Sequence, residues 1–594
     1  MKKAHLRRWL GRASLRRTTA YVSVVAPSPP CIWTFLIGLP VSSLASTQAT
    51  SRLDTMRRVS LGSSAMRRAA AAMLVPLLLG PAGARAGEEP RRGGELVFVV
   101  PSEPPSYDAH REETFGLIHP LAPFYSLLLR IDPTDPKGAR IVGDVAESWT
   151  ESRDHLIHTF KVRPGITFHD GQPLTARDVK ASYDHIIFPP PGVASSRKGA
   201  YAAFESVSAP DDHTVVFRLR WPSAAALGLL ASPWNFIYSA EKLRRDPRWY
   251  EAHVDGTGPF IFVEHVRGSH VLGRRNPRYF HSGLPYLDGF RATFVKSASA
   301  QIAAIRGGRA MIQFRGITPA DRDQLQKALG AEVRFQESPW DCANWIAFNH
   351  ERKPFDDRRV RRALTLAIDR YEMASALSKI TIVRDVAGVQ VPGTEYATPP
   401  AELETLAGYG RDVGRARAEA RRLLRESGVP DAFRFTLKNR GIAHPYEPVG
   451  VYLIDQWRRI GLDVTQEIIE PAAYFSMLRG GDFEVAMDFQ CGYLVEPDLD
   501  LYKFQSADLS DANYARYRDP VLDDLYRRQS RTTDKAARVR LIRAFERRLV
   551  DEEAHYLMTL QWHRIIAQRR PLHGWYITPS HYVNQQLDTV WLAE

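Results

Sequence analysis

The chain has 594 residues, enough for two to four domains rather than a single core. With 44% hydrophobic and 25% charged residues, 12 Trp, 23 Tyr and 26 Phe, and no succession of apolar runs of about 20 residues, it is neither a disordered chain nor a polytopic membrane protein. The formal charge of +13 is concentrated at the start: residues 1–86 hold 13 of the 80 Lys and Arg and one of the 67 acids, which leaves a body too close to neutral to offer a nucleic-acid-binding surface.

From Met56 the basic segment reads as an export signal. Arg57, Arg58, Arg67 and Arg68 form a positive region, Ala69 to Leu79 an apolar one, and Ala84-Arg85-Ala86 a small-x-small cleavage site. The apolar run is too short to span a bilayer. Gly87, not Cys, stands directly after Ala86, so the expected mature chain is not lipid-anchored. Residues 1–55 read as an over-extended start, with Met56 or Met66 as the true one. Arg57-Arg58 lacks the aromatic expected of a twin-arginine signal, so the choice of export route stays open.

Beyond the signal, Leu96 to Val100 is a continuous apolar run, the pattern of a buried strand. An irregular Pro-rich stretch follows, carrying Tyr107, His110, Arg111 and Phe115. His158 to Val162 and Ile166 to His169 read as paired strands around Pro164-Gly165. Thr175 with Asp178 predicts a capping box, and Thr214 to Leu219 a strand. A boundary falls near Ser232. Gly256-Thr257-Gly258-Pro259 reads as a turn, since Pro259 removes a donor that a phosphate loop would need.

The second half alternates strand and helix. Trp345 to Phe348 predicts a strand, and Asp356 caps a helix with Val360, Ala363, Leu364, Ala367 and Ile368 on one face. Phe433, Phe435 and Leu437 alternate as a strand. Leu453, Trp457 and Ile460 mark a helix closed by Gly461. Leu462 to Ile468 predicts a strand, Tyr474, Met477 and Leu478 a short helix, and Phe483 to Phe489 a last strand. The order predicts a mostly parallel sheet covered by helices, which binds ligand beyond its strand ends.

Catalytic patterns do not appear: there is no G-x-S-x-G, H-E-x-x-H, G-x-x-x-x-G-K-[ST] or C-x-x-C. The expectation is a binding protein without enzymatic activity, cofactor or metal. Cys342 and Cys491, on or beside separate predicted strands, leave two readings open: a disulfide in an oxidising compartment, or buried thiols. Aromatics at irregular or strand-end positions (Tyr107, Phe115, Trp234, Trp340, Trp345, Tyr493) suit a non-covalent binding cleft.

Four stretches carry a family resemblance: IVGDVAESWTESRDHLIHTFKVRPGITFHDGQPLTARDVKASYDHI from Ile141, DGTGPFIFVEHVRGSHVLGRRNPRYF from Asp255, PFDDRRVRRALTLAIDR from Pro354 preceded by NWIAFN, and QWRRIGLDVTQ from Gln456 leading to FEVAMDFQCGYLVEPD from Phe483. In order and spacing they resemble the family 5 extracellular solute-binding proteins of ABC importers, which include dipeptide, oligopeptide and nickel receptors. The resemblance implies an α/β, two-lobed periplasmic binding protein (type II, cluster C-like) with an additional third domain. Lobe I would take 87–125, 232–340 and 563–594, domain II 126–231, and lobe III 341–562.

The implied function is capture of a peptide or peptide-like solute by lobe closure and delivery to a membrane permease, the receptor itself being a monomer. A nickel or other metal chelate, an oligosaccharide or an opine-like compound are the alternatives, and an exported enzyme is the remote one. Aligned on Glu496-Pro497, the acid that pairs with a peptide ammonium in the family is replaced by Tyr493. The arginine preceding Pro-Tyr is replaced by His444, and an aromatic by Gln490. Arg440 or Arg111 would then supply a displaced positive charge. The candidate ligand-binding residues are Tyr107, His110, Arg111, Phe115, Trp234, Asn235, Asn344, Trp345, Arg440, His444, Gln490, Cys491 and Tyr493.

Overall fold

The computed structural model describes residues 89–593. The predicted leader, its cleavage site near Ala86 and the over-extended start lie outside the described residues.

Lobe I is built on a four-stranded sheet in the spatial order Glu95–Val100, Gly289–Phe294, His270–Arg275, Phe260–Val266. The first two strands are parallel, the others antiparallel. Leu96, Phe98 and Val100 enter one core cluster, while Val99 packs with Ile302 and Ile305 in another. Burial on both faces is why that strand is uniformly apolar rather than alternating. The Gly256–Gly258 turn precedes the edge strand, and its glycines are required by close approach. A Cβ at Gly256 would lie 2.2 Å from the Phe124 carbonyl oxygen, and one at Gly258 2.4 Å from the Phe124 carbonyl carbon.

Domain II is an antiparallel sheet, Ala146–Glu151, Ile157–Val162, Thr214–Leu219 and Phe204–Asp211, covered by the helix Ala176–Ile187. Thr175 and Asp178 form the predicted capping box. The expected hairpin with Ile166–His169 does not form. Both edges of Ile157–Val162 are already paired, so the later segment makes only a Thr167–Pro173 bridge and tucks Ile166 and Phe168 into the domain core.

Lobe III holds a six-stranded sheet in the order Val383–Asp385, Tyr556–Arg569, Val333–Phe348, Val485–Cys491, Arg434–Arg440, Asp463–Ile469. Helices cover both faces: Arg358–Leu366, Val413–Glu426 and Tyr446–Arg458 on one, Pro520–Arg531 and Lys535–Arg547 on the other. The first of these helices is capped by Asp357, not by Asp356. Only the last three strands are parallel, which corrects the expectation of a mostly parallel sheet. The reason is topological. Val333–Phe348 leaves lobe I and Tyr556–Arg569 returns to it, so these two long strands must be antiparallel.

The two crossing strands serve both lobes. Val333, Ile565 and Ala567 pack in a lobe I cluster; Ile346, Phe348, Leu557 and Leu560 pack in lobe III. At about 3.3 Å per residue, a strand of 16 residues spans about 50 Å, enough to reach both cores. Register shifts fall at Trp340/Ala343 and Ala343/Trp345, where one lobe gives way to the other. Beside them Cys342 stands opposite Cys491 on the neighbouring strand, and the two form a disulfide.

Candidate ligand-binding cleft

Where lobe I faces lobe III, side chains of both gather into an aromatic, cationic wall. The Arg315 guanidinium lies 5.3 Å from the centre of the Phe115 ring and 5.5 Å from that of Trp340. Trp340, at the crossover of the outgoing strand, packs with the lobe III core and donates its indole N–H to His581 Nδ1 at 3.1 Å. From His581 the wall continues through Tyr582 to Trp234, whose ring centre lies 5.4 Å from that of Tyr582 and 4.8 Å from the Arg197 guanidinium. From lobe III, Arg440 extends over Phe475, Phe489 and Tyr446 at 4.8, 5.1 and 5.5 Å. It donates to the Tyr446 hydroxyl at 3.3 Å.

The electrostatics of this wall are one-sided. Nε of both Arg315 and Arg440 is buried without a hydrogen-bond partner. Burial lowers the Arg315 pKa, and the charge of Arg440 across the cleft lowers it further. Behind Arg315, Arg564 donates to the carbonyls of Arg315, Phe314 and Thr578, and burial together with Arg315 pushes it down to about 9. Burial holds His119 down to about 3 and His581 well below its ordinary range, so both rings are neutral. Tyr446 and Tyr582 are pushed up to about 12 by burial and stay protonated.

Carboxylates gather on a different face. Asp341 follows Trp340 in the chain, and burial pushes its carboxyl up to about 8. Asp500 is raised by burial and by the charges of Asp341 and Glu496. Gln490 donates to the Asp500 carbonyl at 2.6 Å, while its own amide oxygen is buried without a partner. Gly492 seats this strand end on Asp341, since a Cβ there would lie 2.1 Å from a carboxylate oxygen. Tyr493 follows, its hydroxyl buried and unpartnered, with burial raising its pKa and the charge of Arg197 opposing.

Of the residues singled out in the sequence, Phe115, Trp234 and Arg440 line this wall, and Gln490 and Tyr493 lie at the adjoining strand end. The others hold different positions. Tyr107 hydrogen-bonds His265 at 2.8 Å within lobe I, and Arg111 is exposed in an ion pair with Glu251 at 2.7 Å. The Asn235 amide donates to the Tyr201 hydroxyl and the Leu229 carbonyl. Asn344 accepts from the Trp562 indole at 2.8 Å. Trp345 is a core residue packed on Phe504 and Tyr556, not a stacking surface. His444 is exposed, its Nδ1 3.1 Å from the Thr381 hydroxyl, and Cys491 is in the disulfide.

His110 is fully buried, and with Asp108 and His185 it brings three metal-competent atoms within 4.8 Å. All four ring nitrogens are already engaged: two face the carbonyls of Phe236 and Pro247, and the two Nδ1 atoms face each other at 3.0 Å. Burial, with the charge of His185 beside it, holds His110 well below its ordinary range, and burial raises Asp108.

Sequence reasoning missed Arg315, Tyr446, Phe475, Phe489, His581 and Tyr582. Trp340 is among the aromatics that suit a binding cleft but not among the candidate ligand-binding residues. Arg315 and His581 lie far apart in the chain and carry no local pattern; the crossing strands bring them together.

The profile of the bacterial extracellular solute-binding proteins, family 5, matches residues 140–510. The chain is 25% identical to di/tripeptide-binding protein 1 of Pseudomonas aeruginosa over 533 residues, 85% of this chain and 96% of the relative. It is 27% identical to a glutathione-binding protein of Escherichia coli O1:K1 over 466 residues, 77% and 87% of the two chains. Its fold is that of the ABC transporter-associated periplasmic binding protein DppA of Helicobacter pylori, solved with the peptide STSA. The TM-score is 0.71 at 23% identity, covering 85% of this chain and 99% of that one.

Proposed function

The chain belongs to the family 5 bacterial extracellular solute-binding proteins, and on that premise we propose that it captures a peptide or peptide-like solute between lobes I and III and presents it to the permease of an ABC importer. The observation that carries this reading is the wall itself. Arg315 and Arg440, from opposite lobes, present partnerless guanidinium N–H among rings that exclude water. A terminal carboxylate accepts from such a fork, and ring faces accommodate side chains of varied shape. The names of the di/tripeptide- and glutathione-binding relatives support the same class. The receptor acts as a monomer in the periplasm, after cleavage near Ala86 and without a lipid anchor. It binds rather than transforms its solute. No helix among the described residues is long and apolar enough to cross a membrane.

The test is native mass spectrometry of the protein purified from its own periplasm, followed by calorimetry with the retained solute and a peptide library. A retained mass that fragments as a peptide, and peptide binding accompanied by a smaller radius of gyration, are the expected results. Retention of a sugar or a metal chelate, with no peptide bound, would overturn the reading.

A further inference from the structure

We propose that the solute presents two negative charges, not one, to the Arg315–Arg440 end of the cleft: a dicarboxylate head, such as a carboxy-terminal Glu or Asp residue. This rests on the reading of the cleft as the solute site and narrows its substrate class.

The charge inventory leads there. Three guanidinium groups, Arg315, Arg440 and Arg564, meet at this end, and among the described residues no carboxylate forms an ion pair with any of them. The remaining groups in reach leave that charge unbalanced: Tyr446 and Tyr582 stay protonated, His119 and His581 are neutral, and Asp488, whose charge acts on Tyr446, is taken up by Lys503 at 2.8 Å. Glu113, a carboxylate coupled to Tyr582 and Tyr493, faces Arg197 instead. Asp341 and Asp500 face each other beneath Gly492.

Among the three cations the roles differ. The Arg564 donors go to backbone carbonyls, so it contributes field and no contact. Arg315 and Arg440 have their faces against aromatic rings, which leaves the N–H edges to recognise a ligand. They come from opposite lobes, so their mutual repulsion opposes closure. One carboxylate satisfies one fork and leaves the other guanidinium half-buried, its Nε without a partner and its charge without a counter-charge, which is costly. Two carboxylates satisfy both and turn the repulsion into an attraction that exists only in the closed form. Closure itself thus discriminates against singly charged and neutral-ended solutes.

Calorimetry of the mature protein with Ala-Glu, Ala-Gln, Ala-Gln amide and glutarate tests this. In the parent, Ala-Glu is expected to bind at least tenfold more tightly than Ala-Gln, and the amide more weakly still. Arg315→Gln and Arg440→Gln should each reduce Ala-Glu affinity at least tenfold and bring the Ala-Glu to Ala-Gln ratio close to one. Equal affinity of the parent for Ala-Glu and Ala-Gln would overturn the proposal without recourse to any variant, while leaving the peptide reading intact. Binding of glutarate that depends on both arginines, with no peptide bound, would support the proposal and overturn the peptide reading. If no probe binds, both fall.

Discussion

Trp340 and Asp341 are neighbours in the chain with opposite surroundings: the indole lies in the cationic wall, the carboxyl in a buried acidic pair. Asp341 makes a pH prediction. Its folded pKa, pushed up to about 8 by burial, lies above the unfolded value of about 3.9. Between those limits the native protein holds a proton that the unfolded chain has released, so stability falls as pH rises, by up to about 1.4 kcal/mol per pH unit. Asp341→Asn should flatten that slope, matching the parent near pH 4 and exceeding it in melting temperature at pH 8. Parallel melting curves for the two proteins across this range would place Asp341 in water. At this scale the sequence was partly legible. Phe115 and Trp234 were found as aromatics in irregular segments. Trp345 misled although alternation already sets it apart from Trp340: Trp340, Cys342, Ile346 and Phe348 pack on one face of the strand, and Ala343, Trp345 and Ala347 on the other, beneath lobe III helices.

Elements were more legible than sites, because periodicity is a local signal and a cleft is not. The strand at Arg434–Arg440, the helix at Tyr446–Arg458 and the capping box at Thr175 each follow from residues within one turn or one pleat. What could not be read locally was pairing: that Ile157–Val162 already had two partners, and that the crossing strands run antiparallel. The Cys342–Cys491 pairing belongs to the same non-local class and settles the alternative of buried thiols. The two cysteines are 149 residues apart in sequence, and their bond ties the strand end that carries Tyr493 to the outgoing crossing strand. A disulfide typically stabilises by about 2–4 kcal/mol. The double variant Cys342→Ser/Cys491→Ser should lose that amount in urea unfolding, and the parent should match it once reduced. An unchanged unfolding midpoint in the variant would mean the bond adds nothing to a strand pair already held by its ladder.

At the scale of the whole molecule, domain II and lobe III touch directly. The Ala224 N–H donates to the Ser530 carbonyl at 2.9 Å, and the Arg531 guanidinium lies 4.7 Å from the centre of the Trp221 ring. Beside them a cavity of about 300 Å³, lined by Ala203, Trp221, Asp498 and Tyr526 among others, lies between the two bodies. In a receptor that closes by hinge motion such contacts exist only in the closed form, so they set its population without touching the solute. A cation–π contact at a partly exposed site is worth about 1 kcal/mol, which is roughly fivefold in the closed-to-open ratio. Trp221→Ala should therefore lower apparent solute affinity about fivefold. The loss should appear chiefly as faster dissociation, because encounter occurs with the open form. Small-angle scattering of the solute-free variant should show a larger radius of gyration than the parent, and saturating solute should restore the parent value. If dissociation is unchanged and the two solute-free curves superimpose, the contact between Trp221 and Arg531 persists when the lobes part, and domain II moves with lobe III rather than against it.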